Sequence, residues 1–214
     1  MISDVVILIL EIVGTVSFAV SGAFVAIQER LDLFGVLFIG TVTAVGGGIL
    51  RDLLIGHIPP SIFSKLPIVL VAAASALVVF LLTSIFTQKF ESLKARIEHI
   101  NLFFDALGLA TFTVMGTEVA FADGFSENMF LSVVLGMLTG VGGGMFRDIL
   151  TDRIPYILKK HIYALASILG AILYYLLRLH LGSPVTAAAA ALVFIVLLRL
   201  LAARYRWSLP KVKL

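Results

Sequence analysis

The amino-acid sequence predicts an all-α integral membrane protein with seven transmembrane helices, arranged as two inverted three-helix repeats plus a seventh helix. Of its 214 residues, 60% are hydrophobic and only 14% are charged, whereas a soluble domain carries about 25% charged residues. The mean hydropathy is +1.11. One motif also occurs twice within apolar stretches: the glycine triplet, Arg and Asp of 46–52 return 96 positions later in 142–148.

Seven segments are long and apolar enough to cross a bilayer, which takes roughly 20 residues. The predicted spans are 5–27, 33–55, 66–87, 101–122, 129–150, 161–180 and 184–203. Polar or helix-breaking residues separate them. We divide the chain accordingly into a first three-helix repeat (1–88), a cytoplasmic linker (89–100), a second inverted repeat (101–181), and a seventh helix with a basic cytoplasmic tail (182–214).

The basic residues predict the orientation of these spans. Thirteen of the 16 Lys and Arg residues fall on the membrane face that carries the C-terminus. Because cytoplasmic loops are enriched in Lys and Arg, we expect a multi-pass protein of the cell membrane with the N-terminus outside and the C-terminus in the cytoplasm. The net charge of +3 is thereby explained without a nucleic-acid partner. The basic tail is expected to anchor the chain, or to bind anionic membrane lipid.

The duplication extends beyond the glycine motif. Glu11 in the first span corresponds to Asp105 in the fourth at a spacing of 94, and Ile58-Pro59 returns as Ile154-Pro155 at 96. Each copy holds three spans, an odd number, so the second copy enters the membrane from the opposite side. The halves are therefore predicted to be related by a pseudo-two-fold axis in the membrane plane, and the seventh span has no counterpart.

Two glycine triplets are the most distinctive local feature. Glycine has the most backbone freedom to lose in a helix, so a triplet predicts an interrupted or kinked helix. Carbonyl groups released at such a kink would suit a weakly held cation. The alternative interpretation is close helix crossing. The candidate kink residues are Gly46, Gly47, Gly48, Gly142, Gly143 and Gly144.

Charged residues within the apolar spans predict a functional pathway, since such charges are costly there. They are Arg51, Asp52, Arg147, Asp148, Glu11 and Asp105. Neighbours at i and i+1 on a helix do not face each other. The distance of each residue below the membrane surface, worked out from its position along its span, instead predicts two ion pairs. They are Glu11 with Arg51 and Asp105 with Arg147, one in each half of the membrane. Alternatively, both arginines extend to the interface and remain unpaired.

Hydroxyl residues on the same spans are candidates for lining a pore, although in a membrane helix they commonly bond their own i−4 carbonyl. They are Ser17, Thr43, Thr111 and Thr139. Glu118, which has no charged counterpart in the first repeat, is expected at the membrane interface or at a cation-attracting mouth. No catalytic motif appears, and the histidines lack metal-ligand spacing. We therefore expect no enzyme, no cofactor and no metal beyond transient potassium.

Together, the paired glycine-Arg-Asp motifs, the inverted three-helix repeats and the lone seventh helix resemble the prokaryotic trimeric intracellular cation (TRIC) channels over nearly the whole chain. The resemblance implies a homotrimer with one pore per subunit, lined by the glycine-kinked second and fifth helices and permeable to potassium, and less so to sodium. Eukaryotic members carry Lys-Glu-Val where this chain has Arg51-Asp52-Leu53, so lipid or calcium regulation of the eukaryotic kind is not implied.

Related bacterial two-repeat proteins are described as glycine transporters. Inverted repeats with interrupted helices are also typical of secondary transporters, so the architecture alone leaves two functions open. The first is a potassium-permeable cation channel. The alternative is a secondary transporter for a small zwitterion such as glycine.

Overall fold

A computed structural model describes residues 4–85, 94–159, 162–181 and 183–207. In these residues the chain forms seven long helices, each long and apolar enough to span a membrane. They are α1 (Asp4–Gln28), α2 (Leu33–Leu54), α3 (Leu66–Ile85), α4 (Lys94–Ala122), α5 (Met129–Leu150), α6 (Ile162–His180) and α7 (Pro184–Arg204). The predicted all-α membrane fold is confirmed. Helix α4 begins at Lys94, inside the segment that we assigned to the linker.

Polar residues at the ends of the apolar spans fix where several helices begin. The side chain of Asp32 accepts a hydrogen bond from the Gly35 amide at the start of α2. Asn128 does the same for the Leu131 amide at the start of α5. These side chains satisfy amides that have no partner within the helix, and they place the helix starts where polar groups are tolerated.

The helices pack as two triplets that meet in the middle. Helices α1, α2 and α3 contact one another, as do α4, α5 and α6. The halves meet through equivalent helices, α1 against α4 and α2 against α5, while α7 packs on α4 and α6. Phe18 and Phe112, which correspond in the two repeats, pack against each other with ring centroids 5.3 Å apart. The inverted repeat is therefore visible in the packing of the core.

The glycine triplets lie where α2 crosses α5. A Cβ atom on Gly47 would come 2.0 Å from the Thr139 carbonyl oxygen, and one on Gly143 would come 2.0 Å from that of Thr43. The reciprocal contact is what two helices related by a two-fold axis must make. The triplets therefore allow a helix separation that any side chain would prevent.

Both helices remain α-helical through their triplets. The predicted interruption is therefore wrong, and the alternative interpretation, close helix crossing, describes Gly47 and Gly143. The physical reason is that a broken helix would leave carbonyl groups without partners in a region where little water is available to bond them. Close packing compensates for the low helix propensity of glycine.

Candidate functional site

A buried charge network lies in the half of the molecule where α5 ends. Arg147 donates from Nη1 to Asp105 Oδ1 on α4 and to Ser21 Oγ on α1, both at 2.8 Å. Its Nε donates to Asp148 Oδ1, also at 2.8 Å. The side chains of Arg147 and Asp105 are each only 1% exposed. The structure thus brings together the Asp105–Arg147 pair that helix depth predicts.

A second arginine joins this network from α7, outside the repeats. Arg199 is buried, with Nη2 3.8 Å from Asp105 Oδ2, and its guanidinium lies over the Tyr163 ring, 4.6 Å from the centroid. In the sequence, Arg199 is one of the thirteen basic residues counted on the face that carries the C-terminus. The signal that could have identified it is an arginine inside the apolar seventh span, where a charge requires a partner.

The corresponding residues in the other half pair differently. Glu11 accepts a hydrogen bond from Lys65 at 2.7 Å, and Arg51 forms its ion pair with Asp52 at 2.6 Å. The predicted Glu11–Arg51 pair is therefore wrong. The long arginine side chain folds back onto the next residue, so the rule that helix neighbours do not face each other fails for it. Lys65, at the start of α3, takes its place on Glu11.

The two aspartates of the repeated motif anchor the chain that follows each helix. Asp52 Oδ2 accepts from the amide and the hydroxyl of Ser61 at 2.8 and 2.7 Å. Asp148 Oδ2 accepts from the Tyr156 amide at 2.9 Å.

Burial, together with the charge of Asp105, raises the pKa of the Tyr156 phenol above its usual value. The phenol is therefore neutral beside the network.

A further pair of contacts joins the repeats at opposite faces of the molecule. Arg153, just after α5, pairs with Glu29 at the end of α1. His57 occupies the position equivalent to Arg153 in the first repeat, and its Nε2 lies 3.2 Å from Asp123 at the end of α4. Each repeat thus contacts the helix end of the other through equivalent positions.

The predicted pore hydroxyls mainly bond their own helices. Thr43 and Thr139 donate to the carbonyls four residues earlier at 2.6 Å, and Thr111 does so at 2.8 Å. Ser17 is buried. Ser21, another hydroxyl residue of the first span, accepts a hydrogen bond from Arg147 in the charge network.

Glu118 is buried and paired near the end of α4. The Tyr174 hydroxyl donates to Glu118 Oε2 at 2.6 Å, and Arg178 Nε donates to the same oxygen at 3.1 Å. Glu118 is 7% exposed, so its carboxylate is held within the protein, and its position at the membrane interface stays a prediction. The partners come from α6, which the sequence alone could not place beside α4.

A cavity of about 560 Å³ opens next to the Asp105 network, on the face where α5 and α7 end. Its buried polar lining residues are Asn101, Asp105 and Arg199, and its exposed lining includes Glu98, Arg206 and Trp207. Within the described chain, no group of three or more His, Cys, Asp or Glu side chains could hold a metal ion. The cavity leads to charged and hydrogen-bonding side chains.

The fold and these networks define a class: a multi-pass membrane protein built from two inverted repeats, with buried ion pairs between its helices. The chain belongs to the family described as "Glycine transporter", whose model matches residues 8–84 and 102–179. It is 39% identical over 203 residues to the UPF0126 inner membrane protein YadS of Escherichia coli (strain K12). That alignment covers 94% of this chain and 93% of the relative.

Solved structures of TRIC channels share the fold. One, described as "Structural basis for conductance through TRIC cation channels", is 33% identical with a TM-score of 0.82, and the match covers 100% of this chain and 98% of that one. A prokaryotic TRIC channel in 0.5 M KCl is 31% identical with a TM-score of 0.85, covering 97% and 100%. The resemblance to TRIC channels drawn from the sequence is confirmed.

Proposed function

We propose that this protein is a cation channel that passes potassium and, less well, sodium through a pore in each subunit of a homotrimer. The observation that carries the proposal is the match over nearly the whole chain to TRIC cation channels, at TM-scores of 0.82 and 0.85. The sequences of these two channels are 33% and 31% identical to that of this chain.

We place the pore beside the crossing of α2 and α5. Gly47 and Gly143 hold the two helices together, whereas a Cβ on Gly48 would have only Arg51 Nη2 nearby, at 3.8 Å. The face of α2 that carries Gly48 and Arg51 is therefore open enough for a polar path. Bending of α2 and α5 at their triplets is the motion that we propose for opening, because glycine resists bending least.

The buried arginine network is the constriction of this path. An unpaired arginine repels a passing cation, but Arg147 is paired with both Asp105 and Asp148. These two carboxylates reduce the repulsion between Arg147 and the cation, while the Arg147 side chain still narrows the path. On the opposite side, the Arg51 side chain is 11% exposed against 1% for Arg147. The asymmetry favours a tight constriction near Arg147 and a wider path near Arg51.

The orientation is part of the proposal. The excess of basic residues on the C-terminal face favours a cytoplasmic C-terminus and an external N-terminus in the cell membrane. The cavity beside Arg199 then faces the cytoplasm, and the Glu11–Lys65 pair lies in the outer half. Membrane lipid is the surrounding partner, and the basic tail is its expected contact.

Recording from the purified protein in a planar bilayer with KCl on both sides tests the channel. Discrete, ohmic current steps are expected, and the reversal potential under a KCl gradient should follow the potassium equilibrium potential. A protein that is folded and inserted but gives no steps would contradict the proposal.

The second candidate is a secondary transporter for glycine. The family described as "Glycine transporter" covers both repeats of this chain, and that observation favours it. Vesicles containing the purified protein would then accumulate labelled glycine in a saturable manner, without current steps. Steps without uptake support the channel, and uptake without steps supports the transporter.

A further inference from the structure

Two contacts between the repeats occupy equivalent positions on opposite faces of the molecule. On one face Arg153 pairs with Glu29, and on the other His57 Nε2 lies 3.2 Å from Asp123 Oδ2. Arg153 follows His57 by 96 positions and Asp123 follows Glu29 by 94, the two spacings of the repeat. Both copies of the repeat therefore have a carboxylate in this contact, whereas the basic partner is arginine in one copy and histidine in the other.

The same backbone motif places the two basic side chains. The His57 amide donates to the Asp52 carbonyl, and the Arg153 amide donates to the Asp148 carbonyl, both at 2.8 Å. The residue before each of these amides has a positive φ. This combination is a common way for a helix to end. Because it occurs in both copies, His57 and Arg153 leave their helices in equivalent directions and reach the opposite repeat.

The two carboxylates lie where a helix does not favour them. Glu29 directly follows α1, and Asp123 directly follows α4. The C-terminal end of a helix carries partial negative charge, so a carboxylate there is unfavourable and a cation is stabilising. A positive side chain supplied by the other repeat therefore relieves a repulsion within the helix that it contacts.

We propose that the His57–Asp123 contact is a pH-dependent latch between the repeats, whereas its counterpart, Arg153–Glu29, is independent of pH. Histidine ordinarily gains its charge as the pH falls from about 8 to about 5, while arginine stays charged throughout. Carboxylates ordinarily lose their charge only near about pH 4. Acidification to about pH 5.5 therefore turns the His57–Asp123 contact into an ion pair and strengthens it.

Asp123 is the charged group that faces His57. Elsewhere in the described chain, no carboxylate pairs with His57, and Glu127, in the turn after α4, is exposed. The charged side chains at the adjoining ends of α2 and α3 already have partners. They are Arg51 with Asp52, and Lys65 with Glu11. The His57 side chain is 48% exposed, so protons reach it directly from the solution on its own face.

The loop that carries His57 is attached to the end of α2. Asp52 pairs with Arg51 and also accepts two hydrogen bonds from Ser61, so His57 lies between two anchored points of one short loop. Holding this loop on α4 restrains the end of α2, and bending of α2 is the proposed opening motion. The consequence for conduction rests on the proposed function: protonation of His57 favours the closed channel, from the external side in the proposed orientation.

Thermal unfolding of the purified full-length protein tests the latch without requiring conduction. A double-mutant cycle of His57→Gln and Asp123→Asn should show coupling at about pH 5.5, up to about fivefold in the unfolding equilibrium constant, as for other exposed pairs. The coupling should be smaller at about pH 8, where histidine is ordinarily neutral. The matched cycle, Arg153→Gln with Glu29→Gln, should give the same coupling at both pH values. Coupling of His57 to Asp123 that is absent at the lower pH, or equal at both, overturns the proposal.

Bilayer recordings test the consequence for the channel. Acidifying one compartment from about pH 8 to about pH 5.5 should lower the open probability, up to about fivefold, whereas acidifying the other should not. His57→Arg should abolish this response, and Arg153→His should add a response to the other compartment. His180→Gln, at an exposed histidine that ends α6, is the control and should respond like the wild type.

The recordings separate the latch from the channel itself. A conducting wild-type protein without a one-sided response to pH, or a response that persists in His57→Arg, overturns the proposal. A wild-type protein that gives no current steps contradicts the proposed function instead, and the two melting cycles then decide whether the latch exists.

Discussion

Removing the charge of Asp105 should destabilise the protein far more than removing that of Glu11, its equivalent in the first repeat. Asp105→Asn keeps the shape of the side chain but leaves Arg147 and Arg199 with one carboxylate fewer. Both members of the Asp105–Arg147 pair are 1% exposed. Breaking such a buried pair in soluble proteins costs about 3–5 kcal/mol, because the remaining charge has no partner and little water.

Glu11→Gln is the matched control in the other half. Its partner Lys65 is 43% exposed, so the ammonium group can turn to water when the carboxylate is lost. Pairs of this kind contribute about 0–1 kcal/mol. The structure therefore predicts a difference of about 3 kcal/mol between two chemically similar substitutions at equivalent positions.

Thermal unfolding of the purified variants measures the difference. For chains of this size, 1 kcal/mol shifts the melting temperature by about 2–4 °C, so Asp105→Asn should melt about 6–20 °C lower and Glu11→Gln at most about 4 °C lower. Equal shifts in the two variants would refute the reasoning, since burial would then not decide the strength of the pairs.

A double-mutant cycle identifies the partners. Asp105 and Arg147 should show a coupling energy within the usual 0.5–3 kcal/mol range for contacting residues, whereas Glu11 and Arg51 should show none. Coupling between Glu11 and Arg51 would restore the pairing predicted from helix depth and contradict the observed Glu11–Lys65 contact.

Three further outcomes are expected. Gly47→Ala places a methyl group against the Thr139 carbonyl and should cost about 1–3 kcal/mol by overpacking, whereas Gly48→Ala, in open space, should stabilise α2 by up to about 1 kcal/mol; equal effects on unfolding would mean that the crossing is not tight. A reporter that fluoresces only in the cytoplasm, fused after Leu214, should be bright, and a dark but inserted fusion would reverse the proposed orientation. Chemical crosslinking in mild detergent should end at a trimer, and a ladder that ends at a dimer would contradict the proposed assembly.

The fold could be predicted from the sequence because its causes are local and repetitive. Each of the seven spans is a continuous apolar stretch, and an odd number of spans per repeat requires inversion. The repeat also aligned residues that the structure brings together, Phe18 with Phe112 and the crossing glycines Gly47 and Gly143. Predicting these features takes only the lengths of the spans, their number and the alignment of the two repeats, and all three can be read from one sequence.

Helix depth predicted the Asp105–Arg147 pair, but the partners of Glu11 and Arg199 were decided only by the tertiary structure. Asp105 reaches Arg147, yet its equivalent Glu11 reaches Lys65, although the motifs match in both halves. Arg199 enters the network from a helix outside the repeat, which no internal symmetry could reveal. Arginine and lysine side chains are long enough to reach several neighbours. Their partners therefore depend on helix rotation and on distances of a few ångströms between helices, quantities that apolar periodicity does not contain.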